Sequence, residues 1–70
     1  MVIGEIERSA SETIRVSVED YKGNKRLDIR IYYRDSEGEL KPTRKGVPFR
    51  LEDIDSLVAY ISEAKNKIQN

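Results

Sequence analysis

Along the first two thirds of the chain apolar and polar residues alternate, and in the last third the apolar spacing lengthens to three or four. In Thr13–Tyr21, Ile14, Val16 and Val18 alternate with Arg15, Ser17 and Glu19, the period of two that marks a half-buried β-strand. Lys22-Gly23-Asn24-Lys25 follows, offering Gly and Asn where a tight connection needs positive φ, and a second alternating run covers Arg26–Arg34. A hairpin is predicted. In its second strand Leu27, Ile29, Ile31 and Tyr33 share one parity, and Asp28, Arg30, Tyr32 and Arg34 the other, so one face is apolar and one is basic.

Asp35–Glu39 reads as a further turn, with Gly38 where a left-handed residue costs little, and leads into a strand over Leu40–Phe49. Pro42 and Pro48 cannot donate to a ladder, so that strand is expected at a sheet edge, bent near Gly46. A short first strand is predicted over Val2–Arg8, ending at Ser9–Glu12. From Glu52 onward Ile54, Leu57, Val58, Ile61 and Ile68 form the stripe of an amphipathic helix, with Glu52, Asp53 and Asp55 early and Lys65 and Lys67 late, matching the helix dipole. The expected architecture is α+β: a curved four-stranded antiparallel sheet followed by one C-terminal helix, ββββα. No repeat, low-complexity tract or linker divides the chain, so residues 1–70 are read as a single domain.

Length now changes the picture. Seventy residues bury too little apolar surface to be secure alone, and with no Cys and no His neither disulfides nor a His/Cys metal site is available. A second copy of the chain is the remaining support, and the helix stripe of Ile54, Leu57, Val58 and Ile61 is its expected homodimer interface. The absence of His and Cys also rules out Ser-His and Cys-His nucleophilic chemistry, and no pair of acids points to another kind, so no enzyme activity is expected. Asp35, Glu37 and Glu39 alternate as in cation loops, but the segment is shorter than an EF-hand loop and lacks its distal Glu; a solvated turn is the simpler reading. No metal or cofactor is expected. Missing cysteines, and the lack of any signal-peptide pattern or spanning apolar run, point to a cytoplasmic protein.

Net charge is zero, yet its distribution is uneven. Residues 22–50 carry nine basic and four acidic side chains, a net of +5, against −3 for residues 1–21 and −2 for residues 51–70. Tyr21, Tyr32 and Tyr33 stand in or beside this basic middle, among Arg15, Lys22, Lys25, Arg30 and Arg34. Cations that track phosphates and rings that stack on unpaired bases are what single-stranded nucleic acid requires. Cross-strand Tyr pairs on a solvated face would produce the same composition, and the residues alone leave both readings open.

Longer motifs narrow the choice. Asp20-Tyr21-Lys22-Gly23, then Asp28-Ile29-Arg30 with Tyr32-Tyr33, then Glu37-Gly38-Glu39-Leu40-Lys41-Pro42-Thr43-Arg44-Lys45-Gly46, resemble without gaps the core of the positive cofactor four transcriptional coactivators, over about residues 14–61. The resemblance implies a homodimer whose sheets and C-terminal helices pack together, leaving basic β-channels that bind single-stranded DNA and partly melted duplexes with weak sequence preference. By position it implies DNA contacts at Tyr21, Lys22, Arg30, Tyr33, Lys41, Arg44 and Lys45, and backbone roles for Gly23 and Gly46. Asn24 stands where eukaryotic relatives have a further Lys, which makes Lys25 its substitute, Tyr33 stands for a Trp, and Ser9–Thr13 is an insertion. Arg15 and Tyr32 complete the candidate set. Alternation puts Tyr32 on the face of Arg30, whereas the resemblance favours Tyr33; a bulge in the strand would reconcile the two. Single-stranded RNA is the alternative ligand, since stacking is indifferent to the sugar, and a protein-docking role for the helix stripe is the alternative of another class.

Overall fold

The computed structural model describes residues 1–70 as five elements, β1 (Val2–Glu7), β2 (Glu12–Tyr21), β3 (Asn24–Arg34), β4 (Leu40–Phe49) and α1 (Leu51–Gln69). The strands form one antiparallel meander in the order β1-β2-β3-β4, and α1 leaves the end of β4 to rest against β3. The ββββα order expected from the periodicities is the observed one.

Ladder register fixes which residues share a face. Ile14 pairs with Ile31, Val16 with Ile29 and Val18 with Leu27, while Ile29 faces Val47 and Leu27 faces Phe49 across the next pair of strands. With Ile6 opposite Ile14 on β1, these side chains make one face apolar. The other face carries Arg15 opposite Arg30, Ser17 opposite Asp28, Glu19 opposite Arg26 and Thr13 opposite Tyr32.

Two details of the hairpins depart from the expected boundaries. Asn24 and Lys25 belong to β3 rather than to the turn: Tyr21 pairs with Asn24, leaving a two-residue loop of Lys22 (φ 51°) and Gly23 (φ 83°). Two positive φ values in succession are what the right-handed twist of flanking strands demands of so short a loop. The Asp20 carboxylate accepts the Gly23 N–H at 3.0 Å and holds the turn closed. In the β3–β4 connection, Asp35 caps the loop, its Oδ1 accepting the N–H groups of Glu37 and Glu39, both at 2.9 Å, around Gly38 at φ 83°. Those hydrogen bonds, Glu39's first, hold the Asp35 carboxyl below its ordinary range.

The chain has almost no interior of its own. Only Thr13, Ser17 and Asp28 are buried, all on the polar face, and no hydrophobic side chain is. Val58 and Ile61 of α1 and Val47 of the apolar sheet face are more than half exposed. Accessible surface is 5805 Å², whereas a compact protein of 8.1 kDa exposes about 4,500 Å². The excess of about 1,300 Å² is what one partner contributes to a sizeable protein–protein interface. The shape agrees: the radius of gyration is 13.9 Å against about 11 Å for a compact 70-residue domain. No helix is long and apolar enough to cross a membrane.

Candidate nucleic-acid interface

Strict alternation along β2 and β3 builds the polar face into a row of guanidinium and phenol groups. Arg15 lies over the Tyr32 ring, 4.1 Å from its centroid, and is held from the other side by Glu5 of β1, whose Oε2 is 2.7 Å from both Arg15 Nε and Nη2. That carboxylate raises the Arg15 pKa further above its ordinary value. Near the hairpin tip the Tyr21 ring sits beneath two cations, Arg26 at 4.6 Å and Lys22 at 5.5 Å. A ring capped by a guanidinium is a ready stacking platform, since a base can take the place of the cation or extend the stack.

The cations divide by occupation. Arg15 is paired with Glu5, Arg30 with Asp28, and Lys41 with Glu39 at 3.5 Å, and Arg34 donates to the Gly38 carbonyl at 2.7 Å. Lys22, Lys25, Arg26, Arg44 and Lys45 make no ion pair. These five fall into two groups, one at the β2–β3 tip around Tyr21 and one in the middle of β4, on the order of 20 Å apart along the sheet at strand rise. Electrostatic attraction for an anionic polymer is therefore concentrated at the β2–β3 tip and at the β4 bulge, beside the internally neutralised Arg15 and Arg30, while Lys25, opposite Asp20, falls on the parity of Leu27 and Ile29.

β4 bends where Pro42, Gly46 and Pro48 led us to expect it. Arg30 pairs with Gly46 and Tyr32 with Pro42, so β4 spends Thr43, Arg44 and Lys45 opposite the single residue Ile31. This bulge is in β4, not in β3, which runs against β2 without a slip from Asn24 to Tyr33. Tyr32 thus stays on the face of Arg15 and Arg30, and Tyr33, 44% exposed, lies on the opposite face between Glu12 and Lys41. The bulge exists, but it leaves the parity of the two tyrosines unchanged. At Gly46 φ is not positive, and what the residue provides is space, since a Cβ there would lie 2.5 Å from Arg30 Cζ.

Of the helix residues, Ile54 and Leu57 are half-buried, while Val58 and Ile61 are exposed. Leu57 joins Phe49 and Tyr60 in a shallow apolar hollow where α1 meets the end of β4. Sequence reading left Arg26 out of the candidate set although its second strand already began there; it continues the basic parity of β3 by one step towards the tip and lies over the Tyr21 ring. It also missed Asp28 and Thr43 as partners of Arg30, which no local pattern marks.

Comparison with known proteins agrees with this geometry. The family model described as Transcriptional Coactivator p15 (PC4) matches residues 8–60. Among solved structures, a PC4 homologue from Burkholderia pseudomallei superposes with a TM-score of 0.89 at 29% identity, covering 93% of this chain and 88% of that one. A second crystal form of that homologue gives 0.87 at the same identity, with 93% and 96% covered. The bacteriophage T5 homologue of the eukaryotic coactivator PC4, implicated in recombination-dependent DNA replication, shares the fold at a TM-score of 0.80 and 24% identity, over 99% of this chain and 80% of that one. With the family model matched across all of β2, β3 and β4 and into α1, the chain belongs to the transcriptional coactivator p15 (PC4) family.

Proposed function

We propose that this protein is a homodimeric, sequence-nonspecific binder of single-stranded DNA that acts on melted DNA as a coactivator-like accessory factor. The observation that carries the reading is the polar sheet face, where two tyrosine rings lie under cations, together with the unpaired Lys and Arg groups at the β2–β3 tip and in the β4 bulge. Phosphates are drawn to the charges and bases to the rings, and neither contact reads a sequence. Strong preference for unpaired strands would shift transiently opened duplex towards the open state without consuming a nucleotide. Dimerisation is supported by the apolar sheet face and helix stripe, which the single chain covers only in part, leaving Val47, Val58 and Ile61 more than half exposed.

Fluorescence anisotropy of a labelled ~20-nucleotide single strand, measured against its duplex at two salt concentrations, tests the reading. Tighter binding to the single strand, weakening with salt, is expected. Equal affinity for strand and duplex, or no binding at low salt, would reject it. A matched RNA strand in the same assay identifies the preferred sugar.

A further inference from the structure

Taking the proposed single-strand reading as its basis, we infer that Arg30 is not itself a phosphate contact but the positioning residue that fixes the β4 bulge and so presents Arg44 and Lys45 to the strand. The guanidinium is already committed. Its Nε and Nη2 donate to Asp28 Oδ2 and Oδ1, each at 3.0 Å, and its Nη1 donates to the Thr43 carbonyl at 2.9 Å. The side chain lies flat across Gly46, its cross-strand neighbour, at a distance that leaves no room for a Cβ.

Asp28 is otherwise hard to place. It is buried, at 8% exposure, and it is an acid on the face where phosphates are expected. An acid there opposes an anionic ligand unless its task is to hold Arg30, which a bidentate carboxylate does with fixed geometry. Thr43 is gripped at two points: Arg30 takes its carbonyl, and its Oγ1 donates to the Ile31 carbonyl at 2.6 Å while accepting the Lys45 N–H at 3.1 Å. The extra residues of β4 are thereby pinned to β3 from both sides, and the two that follow Thr43 are Arg44 and Lys45, neither of which makes an ion pair. A bulge that re-aims side chains needs such restraint, because its backbone has lost the regular ladder.

Lysine keeps the charge of arginine but cannot span a carboxylate and a carbonyl with one planar fork, so R30K separates the two roles. Binding of a labelled single strand is measured from low to moderate salt for wild type, R30K, D28N, R44A/K45A and R30K/R44A/K45A. Positioning predicts that R30K lowers the salt slope towards that of R44A/K45A and weakens binding by up to about 25-fold at 0.1 M salt, the limit for two lost single-strand phosphate contacts. D28N weakens binding although it removes a negative charge, and R30K adds less than about twofold to R44A/K45A, since residues acting as a unit are not additive. T43V, which deletes both Oγ1 hydrogen bonds without changing charge, is the second route to the same slope change should R30K fold poorly. Wild-type slope and affinity in R30K or T43V, tighter binding by D28N, or full additivity in the triple variant would overturn the assignment while leaving the parent reading intact. Absence of binding by wild type would overturn both.

Discussion

Lys22 occupies a backbone conformation that suits it badly, and replacing it by Asn should make the protein more stable and a poorer binder at once. At φ 51°, followed by Gly23 at φ 83°, it is the one non-glycine residue in the left-handed region. For an ordinary L-residue that conformation costs roughly 1–2 kcal/mol, and Asn, whose short side chain hydrogen-bonds locally, escapes most of it. Asn-Gly is the preferred pair for such a loop, and the Asp20 carboxylate that accepts the Gly23 N–H is untouched. K22N should therefore stabilise each protomer by about 1 kcal/mol, raising the melting temperature by roughly 4–8 °C. Loss of one single-strand phosphate contact removes about 0.7 from the logarithmic salt slope, which amounts to about fivefold in affinity at 0.1 M salt and about 25-fold at 0.01 M. Thermal melting followed by circular dichroism and anisotropy across that salt range give both quantities from one preparation. A variant that melts higher but binds with an unchanged slope would refute the phosphate contact; one that melts lower would refute the strain argument.

Other predictions follow from the same geometry. Ile61→Asp places a charge in the uncovered helix stripe, which should cost several kcal/mol of association; sedimentation should show a monomer, and a stable mutant dimer would reject the interface. Glu5→Gln frees Arg15 from its carboxylate partner, so binding should tighten by up to about fivefold at 0.1 M salt, the worth of one phosphate contact; unchanged affinity would mean that Arg15 does not reach the strand. Tyr32→Ala should cost about 1–3 kcal/mol of binding for a lost stacked base and Tyr33→Ala much less, because Tyr32 alone shares the polar face; the reverse ranking would place the strand on the other side of β3. The Asp35 carboxyl is held down by Glu39 and Glu37 N–H groups, so the unfolded chain takes up its proton more readily than the folded one. The stability it contributes is full above about pH 3.9 and is lost as pH falls through the lower folded value. D35N should be less stable at neutral pH and show less of this acid loss, which melting curves over that range would reveal.

Period-two alternation, two prolines and a three-to-four-residue helix stripe were enough to place all four strands and α1 within a residue or two, because each depends on local backbone preference and on which side chains seek cover. The motif resemblance brought out the residues now found at the tip and in the bulge, Lys22, Arg44 and Lys45, since those positions are contiguous in the chain. Which cations are free was not legible. Arg15 and Glu5 are ten residues apart, and Arg30 and Thr43 thirteen, and only the pairing of neighbouring strands joins them. The same holds for the tyrosines. A bulge could have been inferred from Pro42 and Gly46, but the strand that absorbs the extra residues is set by the ladder, where Thr43 binds the Ile31 carbonyl and leaves β3 regular. Local sequence determined the elements and their apolar faces, because burial and turn geometry act over a few residues. Tertiary structure decided which charges remain available to a ligand, because neutralisation depends on side chains that meet only when the strands are in register.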